Sequence, residues 1–144
     1  MKEEDWQEDM LMTIKKIDIA LDRQIGRRMA DWELSTSQTY LVLYILKNHE
    51  EGTYITDLHR ELGISKSTIS QILKKVREKG YLAFQDGQED DRMKRIVVTE
   101  KLLAEKYRLI DRVERIEEEI YSRFSFQERK ELLRLQKKVL EQLQ

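Results

Sequence analysis

The apolar positions of the chain fall into long stripes at its two ends and short ones between them. Trp6, Met10, Ile14, Ile17, Leu21, Ile25 and Met29 recur every three or four residues, the pattern of one long amphipathic helix. Toward the other end Leu109, Val113, Ile116 and Ile120 repeat at helical spacing. Leu132, Leu135, Val139 and Leu143 carry the pattern into a final helix, whose start is fixed by a capping box of Ser125 and Glu128. Ser35 and Gln38 form the same box ahead of a helix running through Leu46.

The middle is built from shorter pieces. Leu58 and Leu62 sit one turn apart, Gly63 follows, and Ile64, Ile69, Ile72, Leu73 and Val76 make a second short stripe. Gly63 lets one helix stop and the chain turn sharply, while Ser65 can cap the next by accepting from its free N–H groups. Leu58, Leu62, Ile64, Ile69 and Ile72 are expected to meet inside the angle between the two helices. That leaves Lys66, Ser67, Ser70, Gln71, Lys74 and Lys75 facing outward, with Ser65 and Thr68 at the start of the helix. Hydroxyls that bond phosphates or base edges, an amide suited to adenine and lysines suited to guanine or phosphate are the chemistry of a helix laid in the DNA major groove.

A hairpin is predicted directly after it. Tyr81 to Phe84 and Ile96 to Val98 read as strands, joined by the polar run Gln85 to Arg95, which contains Asp86 and Gly87. Arg92, Lys94 and Arg95 lie at or beside its tip, where a cation can enter a narrow, strongly negative minor groove.

Charge changes the picture only when it is divided along the chain. The net charge of -1 would not suggest a polyanion as partner. From Ile64 to Gly80, however, the five cations Lys66, Lys74, Lys75, Arg77 and Lys79 face one anion, Glu78, while Glu3, Glu4, Asp5, Glu8 and Asp9 gather at the N-terminus. The local patch steers association and releases counterions.

Composition excludes several alternatives. At 144 residues the expectation is one domain, and the absence of proline permits long helices. Without cysteine there are no disulfides, thiolate nucleophiles or thiolate metal sites. His49 and His59 match no metal-ligand spacing, and no glycine-rich phosphate loop or nucleophile elbow is present, so neither an enzyme, a cofactor nor a metal is expected. No apolar run is long enough to cross a bilayer and the acidic start is unlike a secretory signal, so no membrane partner and a cytoplasmic location are expected.

Taken in order, Leu34-Ser35-x-x-Gln38, the run Asp57 to Ser70, Glu78-Lys79-Gly80-Tyr81-Leu82, the wing pattern Asp90-x-Arg92 with Val98-Thr99-Glu100-Lys101, and Phe124-Ser125-x-x-Glu128-Arg129 resemble the MarR family of bacterial winged helix-turn-helix regulators. The resemblance spans nearly the whole chain, with two departures: His59 stands where the family usually has a small residue, and Leu102 replaces a common glycine.

The resemblance implies a mainly α fold with a small β-hairpin wing, in which residues 34–99 are the DNA-binding unit and 1–33 and 100–144 supply long dimerisation helices. It further implies a homodimeric repressor on double-stranded DNA with a pseudo-palindromic operator, Asp90 bracing the Arg92 guanidinium, and a possible small-molecule effector. Arg28, Trp32, Tyr40 and Tyr44 lie in segments that would border the effector pocket, but none is assigned to it. Ile116 and Ile120 are expected in the dimer contact. The competing class is a winged helix used as a protein-binding module. Its weakness is that protein interfaces favour aromatic and aliphatic anchors over the small polar residues found here.

Overall fold

The computed structural model describes residues 3–85 and 94–144, with side chains from residue 9 onward. Trp6, the first residue of the N-terminal stripe, and Asp90 and Arg92 of the wing therefore lie outside the described side chains. The elements are α1 (Glu3–Arg28), a single 3₁₀ turn (Ala30–Trp32), α2 (Thr36–Asn48), α3 (Ile55–Leu62), α4 (Lys66–Glu78), β1 (Leu82–Gln85), β2 (Arg95–Val98), α5 (Glu100–Ile120) and α6 (Phe126–Leu143). The chain divides into two compact units, Met1–Ile110 and Asp111–Gln144, and α5 contributes to both. Among the described residues no helix is long and apolar enough to cross a membrane.

In the first unit the core is centred on α4, which packs against α2, α3 and β1. Ile69, Leu73 and Val76 are fully buried, as are Val42 and Ile45 of α2 and Leu58 of α3. Each such side chain contributes about 1.5–3 kcal/mol of hydrophobic burial. Ser35 starts α2 through the expected capping box: its hydroxyl accepts from the Gln38 N–H at 3.3 Å, and the Gln38 side chain accepts from the Ser35 N–H at 3.2 Å. Gly63 ends α3 in the left-handed region at φ 71°, with its N–H on the His59 carbonyl at 3.0 Å. That conformation is cheap for glycine and costs other residues about 1–2 kcal/mol.

The angle between α3 and α4 is filled differently from expectation. Leu58 is buried, but Leu62 and Ile72 are only half-buried and Ile64 is exposed. These three line an open groove with Ser37, Tyr40, Leu41 and Thr68. The physical reason is that Ile69, Leu73 and Val76 already saturate the side of α4 that faces the core, so Ile72 falls on the flank.

The hairpin pairs Leu82 with Val98, Ala83 with Val97, Phe84 with Ile96 and Gln85 with Arg95. Thr53, in the α2–α3 connection, adds a bridge to Ile96 through reciprocal backbone bonds of 3.0 and 2.7 Å, which fixes the wing's root to the helical body. Thr99 starts α5 by accepting from the Leu102 N–H at 3.3 Å, and Leu102 itself is fully buried in the core.

The second unit contains the end of α5 and α6. The box of Ser125 and Glu128 is formed, with the Glu128 N–H on the Ser125 hydroxyl at 3.1 Å and the Ser125 N–H on the Glu128 carboxylate at 2.9 Å. Arg129 ties the turn by donating to Glu118 and to the Tyr121 carbonyl, both at 2.8 Å. Ile116 is 4% exposed and Ile120 43% exposed, so of the two residues expected at a dimer contact only Ile120 is open within the protomer.

Candidate nucleic-acid interface

The residues predicted to face DNA are brought together on α4. With 3.6 residues per turn, the buried stripe Ile69, Leu73 and Val76 defines the inner side of the helix, and Ser67, Gln71, Lys74 and Glu78 form the opposite stripe. Ser70 and Lys66 flank it on one side, Thr68 and Lys75 on the other, and all of these residues are exposed. The outermost surface is thus a hydroxyl, a carboxamide, an ammonium and a carboxylate in succession. Glu78, not assigned from the sequence, belongs to this stripe and can accept from the cytosine amino group.

Ser65 has a different role from its neighbours. It is the N-cap of α4, accepting from the Thr68 N–H at 3.2 Å and donating to the Thr68 hydroxyl at 2.8 Å. Its hydroxyl is also 3.4 Å from that of Ser67. Ser65 therefore orders the helix start, and Thr68, after accepting from Ser65, keeps a proton to donate outward. His59 supports the same turn: its Nδ1 lies 2.7 Å from the Ile64 carbonyl, so that nitrogen carries a proton and donates. Nothing in the sequence pattern marked this bond, because it joins a helix residue to the carbonyl just beyond the turn.

The cations predicted at the wing separate. Lys94 is half-buried at the edge of the described hairpin. Arg95 is turned inward, donating to the Glu51 carbonyl beside Gly52. Gly52 has φ 124°, and a side chain there would collide with the Arg95 guanidinium. Arg95, half-buried, thus braces the wing root, because its strand position directs it toward the α2–α3 connection. Lys106 of α5 reinforces that connection through Glu50 at 2.5 Å.

Two further cations near α4 are engaged within the fold. Arg77 stacks on the Phe84 ring at 4.8 Å, joining α4 to the hairpin. Lys79, the C-cap of α4, donates to the Gln38 side chain at 2.7 Å and to the Glu33 carbonyl. Both stood in the sequence as part of one undivided basic run. Beside them the Tyr81 hydroxyl donates to the Trp32 carbonyl at 3.2 Å, and burial, with the charges of Glu105 and Glu33, pushes the phenol up and keeps it a neutral donor.

The aromatic residues near the expected effector pocket are also distributed. Trp32 is buried and donates to Glu105 at 3.0 Å, with the Arg108 guanidinium 4.9 Å from its ring. Tyr44 lies against His49, whose Nε2 is 2.8 Å from Glu61. Tyr40, about half exposed, lines the groove with Leu62, Ile64 and Ile72, whose volume is about 220 Å³. Among the described residues no group of acidic and histidine side chains is arranged to hold a metal ion.

Residues 34–93 match the family model described as the MarR family. Among curated protein sequences there is no significant match. Several solved structures are similar over almost the whole chain. The organohalide-sensing transcriptional regulator RdhR in its 2,4-dichlorophenol-bound form is 16% identical, with a TM-score of 0.86 over 99% of this chain and 85% of that one. The S. aureus MepR–DNA complex is 17% identical, with a TM-score of 0.83 over 92% of this chain and 96% of that one. A MarR-family regulator from Listeria monocytogenes complexed with 26mer DNA is 23% identical, with a TM-score of 0.79 over 92% and 87%. At such identities the likeness establishes the winged-helix fold.

Proposed function

We propose, from the match of residues 34–93 to the family model described as the MarR family, that this chain is a MarR-like, sequence-specific DNA-binding transcriptional regulator of the repressor type, working as a homodimer under a small-molecule effector. The observation that carries this reading is the outward stripe Ser67, Gln71, Lys74 on a helix whose opposite side is fully buried and whose start is capped. Such a helix is held rigidly enough for its side chains to reach base edges at fixed positions. Solved relatives include proteins complexed with DNA and one bound to a chlorinated phenol, which supports both partners of the reading.

In this reading α4 enters the major groove, Gln71 and Thr68 read base edges, and Lys66, Lys74 and Lys75 hold phosphates. Asp90 and Arg92 at the wing contribute a minor-groove contact. Residues 34–99 form the DNA-binding unit, and 1–33 with 100–144 pair two copies so that two α4 helices meet half-sites one helical turn apart. A two-fold arrangement doubles the few base pairs one helix can read. The Tyr40 groove, smaller than the usual drug-sized site, fits an effector of about one aromatic ring, and it touches Thr68 at the reading end of α4.

Selection of bound fragments from genomic DNA by the purified protein tests the reading. Enrichment of a pseudo-palindromic sequence, with affinity falling steeply as salt rises, is expected. Retention of protein partners, with DNA binding that does not distinguish sequences, would favour the protein-binding module.

A further inference from the structure

The five cations of the Ile64–Gly80 segment do not share one role. Lys66, Lys74 and Lys75 are exposed, whereas the Lys79 ammonium is seated between the Gln38 side-chain oxygen at 2.7 Å and the Glu33 carbonyl. Glu33 is the sole described residue other than glycine with positive φ, at 56°, and its carbonyl is presented to Lys79 from that turn. The same Gln38 oxygen also accepts from the Ser35 N–H at 3.2 Å, so one buried amide joins the start of α2 to the end of α4. Residue 79 is held at its backbone too: its carbonyl accepts from Lys101 of α5 at 2.6 Å, and the Lys101 ammonium lies 4.7 Å from the Tyr81 ring.

We propose that Lys79 is a positioning residue for DNA recognition, an ammonium latch between the end of α4 and the Glu33–Gln38 turn that fixes how α4 meets the groove without itself touching DNA. The inference rests on the DNA-binding reading above. Lys79 lies eight residues beyond Gln71, about 12 Å along the helix axis, so it anchors the end remote from the helix start. Phosphate attraction tolerates a small tilt of the helix because it falls off gradually with distance. A bidentate contact to a base edge does not. Loss of the latch is therefore expected to remove sequence discrimination while leaving the electrostatic component in place.

Salt dependence separates the two roles. A cation that neutralises a phosphate contributes roughly 0.9 to the slope of log affinity against log salt, whereas a latch contributes nothing to it. The test compares a short duplex enriched from a random pool by the wild-type protein with the same duplex scrambled. Lys79→Met is expected to lose about tenfold in affinity for the enriched duplex, with the scrambled duplex and the slope unchanged after correction for active fraction. Gln38→Met, altering a buried and uncharged residue at the cost of the α2 capping box, is expected to reproduce this, and the double variant to be no worse than either single one.

Should Lys79→Met fail to fold, Lys79→Arg decides the matter. Arginine preserves a phosphate contact, but its longer, planar fork does not reproduce a single nitrogen serving both the Gln38 and Glu33 oxygens, so the loss of discrimination is expected to persist. A slope reduced by about one phosphate on both duplexes, or full affinity in Lys79→Arg, overturns the proposal. So does a lower thermal midpoint with an unchanged ratio between duplexes, which would mark Lys79 as structural only. A wild-type protein that enriches no sequence overturns the regulator reading itself, and the latch with it.

Discussion

The α3–α4 region and the terminal helices use opposite surfaces. Around α4 the apolar residues Leu58, Ile69, Leu73 and Val76 are buried, and apart from the groove of Leu62, Ile64 and Ile72 what remains outside is mostly short and polar or cationic. On α1 the reverse holds: Met10, Ile14 and Ile17 are each more than half exposed, and on α6 Leu133 and Leu140 are as well. A surface of the first kind gains by exchanging water and counterions for a polyanion, and one of the second kind by removing apolar area from water. Within one molecule the contrast separates the part suited to reading DNA from the parts suited to burial against another copy.

Charge placed on the terminal helices should separate the two surfaces most severely. Ile17→Lys combined with Leu140→Lys is expected to give a monomer by sedimentation and, by removing the linkage between two half-sites, to weaken operator binding by about 10²–10⁴-fold. A monomer that retains full operator affinity would dissolve the link between the two surfaces. Ile116 is unsuitable for this test because it is buried inside the protomer, where a charge disrupts folding.

In the central region the corresponding injury is internal. Leu58→Ala should cost about 2–5 kcal/mol in denaturant unfolding, since it leaves a cavity under the α3–α4 angle. Leu62→Ala, removing a half-buried residue of the open groove, should cost clearly less. Equal costs would show that the groove is closed in solution.

Smaller effects sharpen the division within α4. Gln71→Ala is expected to lose about 1–3 kcal/mol of discrimination at particular base pairs, measured by competition between single-base operator variants. Lys74→Ala should instead weaken all duplexes alike and reduce the salt slope by about 0.9. At the wing, Arg92→Ala should weaken binding across sequences, and Asp90→Ala should follow in the same direction although it removes an anion. Tighter binding by Asp90→Ala would overturn the bracing role.

The smallest expected effect lies at the start of α6. The Ser125 backbone N–H, and secondarily its hydroxyl, hold the Glu128 carboxyl below the usual glutamate range. A carboxyl lowered by folding stabilises the folded state fully above its unfolded pKa, and that contribution is lost as pH falls through the lowered folded value. The thermal midpoint of the wild-type helix should therefore fall on acidification, from the ordinary glutamate pKa down through the lowered folded value, while Glu128→Gln, which keeps an acceptor but cannot titrate, should lose this component of the pH dependence.

Much of the architecture was legible in the residue pattern because its signals are local. A capping box spans four residues, a helical stripe repeats within one or two turns, and Gly63 marks a turn by its own conformational freedom, so Ser35, Gly63 and Ser125 could each be placed without knowing their neighbours in space. The exposed polar face of α4 was legible for the same reason: a buried stripe on a helix fixes which residues oppose it.

The roles of individual cations were decided only in three dimensions. Sequence spacing puts Lys74 and Lys79 in one basic run, yet one is exposed while the other meets Gln38 and Glu33 from 41 and 46 residues away. Arg95 likewise reads as a cation at or beside the wing tip, and the fold brings the Glu51 carbonyl, 44 residues distant, to accept from it. A lysine or arginine side chain is long and flexible, and its local sequence carries no record of which carbonyl the folded chain will bring within its reach. Local sequence therefore determined where helices begin, turn and present a polar face, and the tertiary packing decided which charges remain for DNA and which hold the protein together.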